Sequence, residues 1–239
     1  MRLSDFRALS FDCYGTLIDW EAGILAALQP LIARSGITDE DLLEAYGPIE
    51  HAVEAEFPDR PYSELLREVH ERLSRHFGVE PDAAAAAAFG TSVGAWPAFS
   101  DSPAALAYLQ QHFQLIILSN VDAANFTGSE RRLGVKFDHV FTAQDIGSYK
   151  PDLRNFEYLL EHLAKTGIAK GELLHVAQSL FHDHAPANRM GIASAWIDRR
   201  AGKTGSGATA IAEPMPRFDF RFTSLGELAE AHQAELEAR

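Results

Sequence analysis

Asp12 ends the apolar run Arg7 to Asp12, and a tight Tyr14-Gly15-Thr16 turn follows before a second carboxylate, Asp19. A carboxylate at the end of a buried strand is costly to desolvate. It is either a turn cap for the loop that follows or a reactive group. Other polar residues stand in matching places: Ser119 and Asn120 close the run "QLIILSN", and Gln178, Ser179 and Asp183 follow the start of "LLHVAQS". Lys150 lies in the loop "SYKPD". Converged on one pocket, these groups suit nucleophilic chemistry. The lysine would hold the buried carboxylate ionised, the carboxylate would attack, and hydroxyl and amide donors would fix an anionic substrate or leaving group.

That convergence needs a parallel sheet, because ligands of open α/β sheets bind beyond the carboxyl ends of the strands. The runs "QLIILSN", "HVFTA" (139–143), "LLHVAQS" (173–179) and "ASAWID" (193–198) have the continuous apolar character of strands buried on both faces. Helical stretches separate them, including 155–165 and 185–190; "FDFRFTS" (218–224) reads as an edge strand and 225–237 as a closing helix. Ser102-Pro103 reads as a helix start, with Ser102 as the cap and the helix running to about His112. The pattern predicts an α/β fold, a doubly wound (Rossmann-like) parallel sheet. Between the first and second strands lie four helical stretches, near 21–35, 39–55, 62–77 and 82–89. They are too long for a crossover and predict an inserted helical cap, residues 17–97, on a core of residues 1–16 and 98–239. The stretch 201–210, "AGKTGSGATA", reads as a loop.

Composition narrows the partners. The chain has 239 residues and a formal net charge of −13, which argues against nucleic acid but leaves room for a small anion in a local basic pocket. Cys13 is the single cysteine, so no internal disulfide forms and a cysteine metal site is disfavoured. Arg2, Asp5, Arg7 and Asp12 interrupt any apolar signal stretch, and no run has membrane-spanning length. The expectation is a cytoplasmic protein with no membrane partner.

"FDCYGTLID", "LSN" and "YKPD", in that order and with a helical insertion after the first, resemble the haloacid dehalogenase superfamily, in particular its type II 2-haloacid dehalogenases. The resemblance implies that Asp12 attacks the halogen-bearing carbon of a small carboxylate substrate, forming an ester that water then hydrolyses. It implies that Thr16, Ser119 and Lys150 serve catalysis by orienting the aspartate or the substrate carboxylate and that Asn120 helps receive the halide. Ser179, Phe181 and Asp183 match the late family loop in part, Asp183 as a catalytic residue and the other two as substrate contacts, while Tyr14 and Gln178, the latter unfamiliar to the family, are expected to contact substrate as well. No cofactor or metal is implied, and a homodimer is allowed. Phosphatases of the superfamily carry an aspartate where this chain has Tyr14, and a phenol of pKa about 10 is a poor acid for a leaving alcohol. The alternatives are a magnesium-dependent phosphatase, with Asp12 and Asp183 on the metal, and a non-catalytic binding protein of this fold.

The sequence also departs from the dehalogenase pattern. The halide-binding arginine is missing from "EAYGPIEHAVEAEF", with Arg34, Arg60 and Arg67 the nearest replacements, and a family tyrosine appears as Phe156. His182 and His184 flank Asp183 as a metal pair, a water-activating base or plain loop residues. Asp19 reads as a hinge or surface residue beside a second-carboxylate role. Trp20, Phe181 and Trp96 read as core or as substrate wall, and Cys13 as packing. Two motifs are decoys. "GTSVG" (90–94) lacks the strand that a nucleophile elbow needs, and Gly202-Lys203-Thr204 lacks the upstream glycine of a phosphate loop, having Ile197 there.

Overall fold

The computed structural model describes residues 1–202, 207–209 and 212–238. Lys203 and Thr204 of the phosphate-loop decoy, and much of the expected loop 201–210, lie outside them.

Strand β1 (Ala8–Phe11) is followed by helices α1 (Trp20–Ser35), α2 (Asp39–Glu56), α3 (Tyr62–His76) and α4 (Ala83–Gly90). Then come α5 (Ser102–Leu109), β2 (Gln114–Ser119), α6 (Ala123–Leu133), β3 (His139–Thr142), α7 (Ala143–Ile146) and α8 (Leu153–Lys165). The chain continues with β4 (Leu173–Ala177), a single π-helical turn (Leu180–His184), α9 (Ala185–Met190), β5 (Ala193–Ile197), β6 (Phe220–Phe222) and α10 (Leu225–Glu237). All six strands are parallel in the order β3-β2-β1-β4-β5-β6. This is the doubly wound α/β sheet. Its strand order reverses at β1, so a crevice opens past Phe11, where Asp12 sits.

Alternation along the central strands feeds two cores. Leu9, Phe11, Leu115, Ile117, Leu174 and Val176 join α5, α6 and α10 on one face. Ala8, Ile116, Leu118 and Leu173 join Phe156, Leu159 and Leu163 of α8 on the other. Ser10 and His175 share the second face and are fully buried, so they must satisfy each other: Ser10 Oγ lies 2.8 Å from His175 Nδ1.

The helical segment leaves and rejoins the sheet through paired backbone. Ile18 bridges Ala98, Asp19 N donates to Pro97 O (2.8 Å) and Phe99 N donates to Leu17 O (3.0 Å). Gly15 makes the turn possible, with φ of +91° and its N–H donating to Ile18 O at 2.8 Å. Within the segment, Thr38 and Asp41 box the start of α2. Asp82 caps the alanine run by accepting from Ala84 N and Ala85 N.

The start of α5 differs from the sequence expectation. Asp101 occupies the cap position and Ser102 is the first helical residue. The Asp101 carboxylate does not bond its own helix. It accepts instead from Leu225 N, Gly226 N and Arg199 Nη1, tying α5 to α10. The helix stops at Leu109, short of His112, because the chain turns there into β2.

Candidate active site

Lys150 is brought to the crevice by an amide clamp. Its backbone N–H donates to Asn120 Oδ1 (2.7 Å), and Asn120 Nδ2 returns a bond to Lys150 O (3.0 Å). The ammonium, only 2% exposed, then reaches Asp12 Oδ1 (2.9 Å), Asp183 Oδ1 (2.7 Å) and Leu118 O (2.9 Å). Thr16 Oγ1 donates to Asp12 Oδ2 (2.7 Å) and accepts from Gln178 N (2.8 Å). Asp183 is held from behind by His175 Nε2 at 2.9 Å, completing a buried Ser10–His175–Asp183–Lys150–Asp12 chain. Ser10 and His175 were not singled out in the sequence; a histidine inside the apolar run "LLHVA" was the available signal.

One ammonium between two buried carboxylates divides its charge unequally. Burial raises the pKa of Asp183, but Lys150 and then His175 outweigh it and hold this carboxyl well below the usual range. Burial raises Asp12, the charge of Asp183 adds to the rise, and Lys150 and Thr16 offset only part. Burial disfavours the charged lysine, yet Asp12 and Asp183 together push its pKa up. Lys150 thus touches both carboxylates, as expected of a counter-ion for Asp12, but they are not equivalent: Asp183 is held below the usual range while Asp12 is raised above its ordinary value, so Asp12 is the more basic carboxylate. A more basic carboxylate is also the stronger nucleophile once ionised.

The crevice encloses about 50 Å³. Asp12, Tyr14, Ser119, Asn120, Lys150, Gln178, Ser179 and Asp183 all line it, whereas Thr16 sits behind Asp12. Three polar atoms there are buried and without a partner among the described residues: Ser119 Oγ, Asp183 Oδ2 and His182 Nε2. Such orphans are rare outside binding sites. Asn120 is less available to substrate than expected. Its remaining amide hydrogen points at Glu54 Oε1 (3.3 Å), so its donors are engaged.

Some expected substrate contacts are not made. Phe181 does not line the cavity and packs edge-on against His51 and His182, with ring centroids 5.0 Å apart in both cases. Trp96 is fully packed against Tyr14 and the bare face of Gly23, while Trp20 does line the cavity. His184 turns away: its ring bonds Ser194 Oγ (2.9 Å) and Ala177 O (3.0 Å), both nitrogens are used, and the His182–His184 metal pair does not form. Asp19 caps α1 by accepting from Ala22 N. Cys13 is buried in the core, and burial pushes its thiol pKa up. Gly90 ends helix α4, so "GTSVG" has no strand before it.

The inserted segment contributes residues that sequence reasoning did not single out. Glu50 and Glu54, one turn apart on the buried face of α2, line the cavity with Tyr62. Tyr46 OH (2.9 Å) and Tyr62 OH both donate to Glu50 Oε1. Burial pushes the Glu50 carboxyl up to about 7, and burial with the Glu50 charge raises Glu54 well above the usual range. The E-x-x-x-E spacing was the available signal. None of the candidate arginines enters: Arg34 bonds Glu80 O, and Arg60 lies 3.6 Å over the Phe57 ring. Arg67 packs beside Gly90 instead. Among the described residues no arginine lines the cavity.

Magnesium, which the phosphatase alternative requires, fits these residues poorly. A cation bridging Asp12 and Asp183 would sit against the positive charge of the Lys150 ammonium, which already touches both. Asp183 Oδ2 is the one oxygen of the two carboxylates without a partner.

Comparison with known proteins agrees with the fold. The L-2-haloacid dehalogenase from Xanthobacter autotrophicus has a similar structure, with a TM-score of 0.79 at 20% identity, covering 95% of this chain and 98% of that one. The defluorinating L-2-haloacid dehalogenase Rha0230 gives a TM-score of 0.77 at 22% identity, covering 98% and 99%. Among curated proteins, the pyrimidine 5'-nucleotidase PynA of Streptococcus pneumoniae is 26% identical over 206 residues, 81% of this chain and 84% of PynA. Residues 6–180 match the haloacid dehalogenase-like hydrolases, and the chain belongs to that family.

Proposed function

We propose that this hydrolase cleaves the carbon–halogen bond of a small 2-haloacid, with Asp12 as nucleophile and without metal at Asp12. The observation that carries this reading is the state of Tyr14. Its hydroxyl is bound to Ser129 Oγ (2.8 Å), its ring packs on Trp96, and burial pushes its pKa well above that of a free phenol. A phosphate ester needs an acid at this place to protonate its leaving alcohol; a halide leaves as a stable anion and needs none.

The steps follow from the geometry. Thr16 and Lys150 hold one Asp12 oxygen each and fix the attack direction. Attack forms a carbon–oxygen bond and expels halide with the bonding electron pair. Asp183 Oδ2, unpartnered, accepts a hydrogen bond from the water that then opens the ester at the Asp12 carbonyl, returning Asp12 and releasing a 2-hydroxyacid. A volume of about 50 Å³ holds a few waters, at roughly 10–15 Å³ each. The helical segment acts as a cap that closes over the site until the ester forms. A cytoplasmic location belongs to the same reading; among the described residues no helix is long and apolar enough to cross a membrane.

The likeness to PynA favours a second reading, phosphate-ester hydrolysis with magnesium. Halide release from haloacetates and 2-chloropropionate, measured beside a nucleotide panel with and without magnesium, separates the two. Halide release that survives a chelator supports the first reading; nucleotide turnover that a chelator abolishes, with no halide release, overturns it.

A further inference from the structure

His182 has lost the neighbour that the sequence offered it, but it gains another from the inserted segment. A ring nitrogen of His182, a Glu54 carboxylate oxygen and a ring nitrogen of His51 lie within 4.8 Å of one another. We propose that these three residues form a site for a divalent transition metal such as zinc, joining helix α2 to the loop after β4.

Four features carry the assignment. First, two imidazoles and one carboxylate are a common ligand set for zinc with one open position. Second, His51 Nδ1 and His182 Nε2 are buried and have no hydrogen-bond partner, the state of a ligand atom awaiting a cation. Third, His182 is oriented from behind: its Nδ1 lies 3.2 Å from Ser179 Oγ, which also accepts from His182 N at 3.0 Å. A proton on Nδ1 directed at this hydroxyl leaves the Nε2 lone pair facing the cluster, the usual arrangement of a metal-bound histidine. Fourth, His51 is held between His182 and Phe181, with ring centroids at 6.0 and 5.0 Å. This gives Phe181 a packing role in place of the substrate contact.

The site differs from a magnesium site at Asp12 and Asp183, neither of whose carboxylates it uses. Glu54 and His182 line the cavity, so the open position faces substrate. A cation here adds positive charge where an arginine is missing, and it fastens the helical segment to the sheet. Metal binding itself does not depend on which substrate is turned over.

The test uses full-length, tag-free protein, stripped with a chelator and dialysed. Zinc is titrated by calorimetry, cobalt by its visible ligand-field absorption, and thermal unfolding is followed with and without zinc. We expect one metal per chain and a rise in Tm that grows with zinc concentration. His51→Ala, His182→Ala and Glu54→Gln each weaken binding about tenfold or more, while His76→Ala, on the exposed end of α3, does not. His51 is half-buried on the helix surface, so its variant remains folded even if His182→Ala does not. Failure of the wild type to bind a full equivalent, or unchanged affinity in His51→Ala, overturns the assignment.

Discussion

Replacing Lys150 by Met tests the charge arrangement directly. The substitution nearly conserves volume and removes the ammonium that lies 2.9 Å from Asp12 and 2.7 Å from Asp183. At an effective dielectric constant of about 20, each attraction is worth about 6 kcal/mol before desolvation of the lysine is subtracted. Breaking a buried pair by removing one partner typically costs about 3–5 kcal/mol. For a chain of this size that corresponds to a fall in Tm of roughly 6–20 °C at neutral pH. The pH dependence makes the test sharper. In the wild type, Asp183 sits below its ordinary pKa, so its contribution is present above the usual carboxylate range and is lost as pH falls through the depressed folded value. In the variant, two buried carboxylates face each other without a counter-ion, and their folded pKa values rise. Stability from such groups is present at low pH and is lost as pH rises through those values. Lowering the pH from 8 to 5 (about the range where such raised carboxylates titrate) should therefore stabilise the variant. Scanning calorimetry across that range reads both effects. A variant that melts with the wild type at neutral pH, or whose Tm does not rise on acidification, would refute the shared-ammonium account.

Asp12→Asn should lower turnover by about 10³-fold or more without lowering Tm, because burial already raises this carboxyl and its charge costs stability. For the same reason the acid limb of the wild-type rate profile should lie above an ordinary aspartate's pKa of about 4, activity falling as Asp12 is protonated. Tyr14→Phe should cost about 1 kcal/mol by leaving Ser129 unpaired yet keep kcat within a few-fold; a profile that loses its basic limb would instead make Tyr14 an acid. Glu50 has a folded pKa of about 7, so wild-type stability should fall by about 1.4 kcal/mol per pH unit from the usual carboxylate range up to that value. Glu50→Gln should flatten that stretch of the melting profile. Gly128→Ala should destabilise by about 1–3 kcal/mol or more, since its Cβ would meet the backbone O of Gly94 at 2.4 Å, where no side chain can turn aside; equal melting temperatures would show that α6 shifts freely.

The sheet was legible because burial on both faces leaves a mark in composition. β2 and β4 are unbroken apolar runs that end in polar residues, and those ends are where the cavity lies. Asp12, Ser119 and Asp183 could be picked out for that reason, and Lys150 from its loop setting "SYKPD". What escaped depends on how helix α2 lies across the sheet. Glu50, Glu54 and His51 read as polar residues of an amphipathic helix until the fold turns their face inward. The start of α5 was misplaced because Asp101 bonds α10 and Arg199, partners more than 90 residues away in sequence. The division of charge at Lys150 was likewise hidden, since the chain does not reveal that His175 backs Asp183 and leaves Asp12 as the weaker partner.

Charge also bears on how an anion could be received at all. Lys150 is the only permanent cation lining the cavity among the described residues, and Asp12 and Asp183 already claim it. Burial and then the Glu50 charge push the Glu54 carboxyl well above its ordinary pKa, which weakens it as a second repulsive charge. Glu50 adds partial negative charge through its pKa of about 7. The cavity is thus short of positive charge for a carboxylate substrate with a departing halide. A cation held by His51, Glu54 and His182 would supply it, and would also ionise Glu54 by binding its carboxylate. The two proposals are linked through this deficit but do not stand or fall together. If metal binds and haloacids react only in its presence, the cation has taken the place of the missing arginine. If metal binds and haloacids never react, the site stands while the substrate must be sought among neutral or cationic electrophiles small enough for the same cavity.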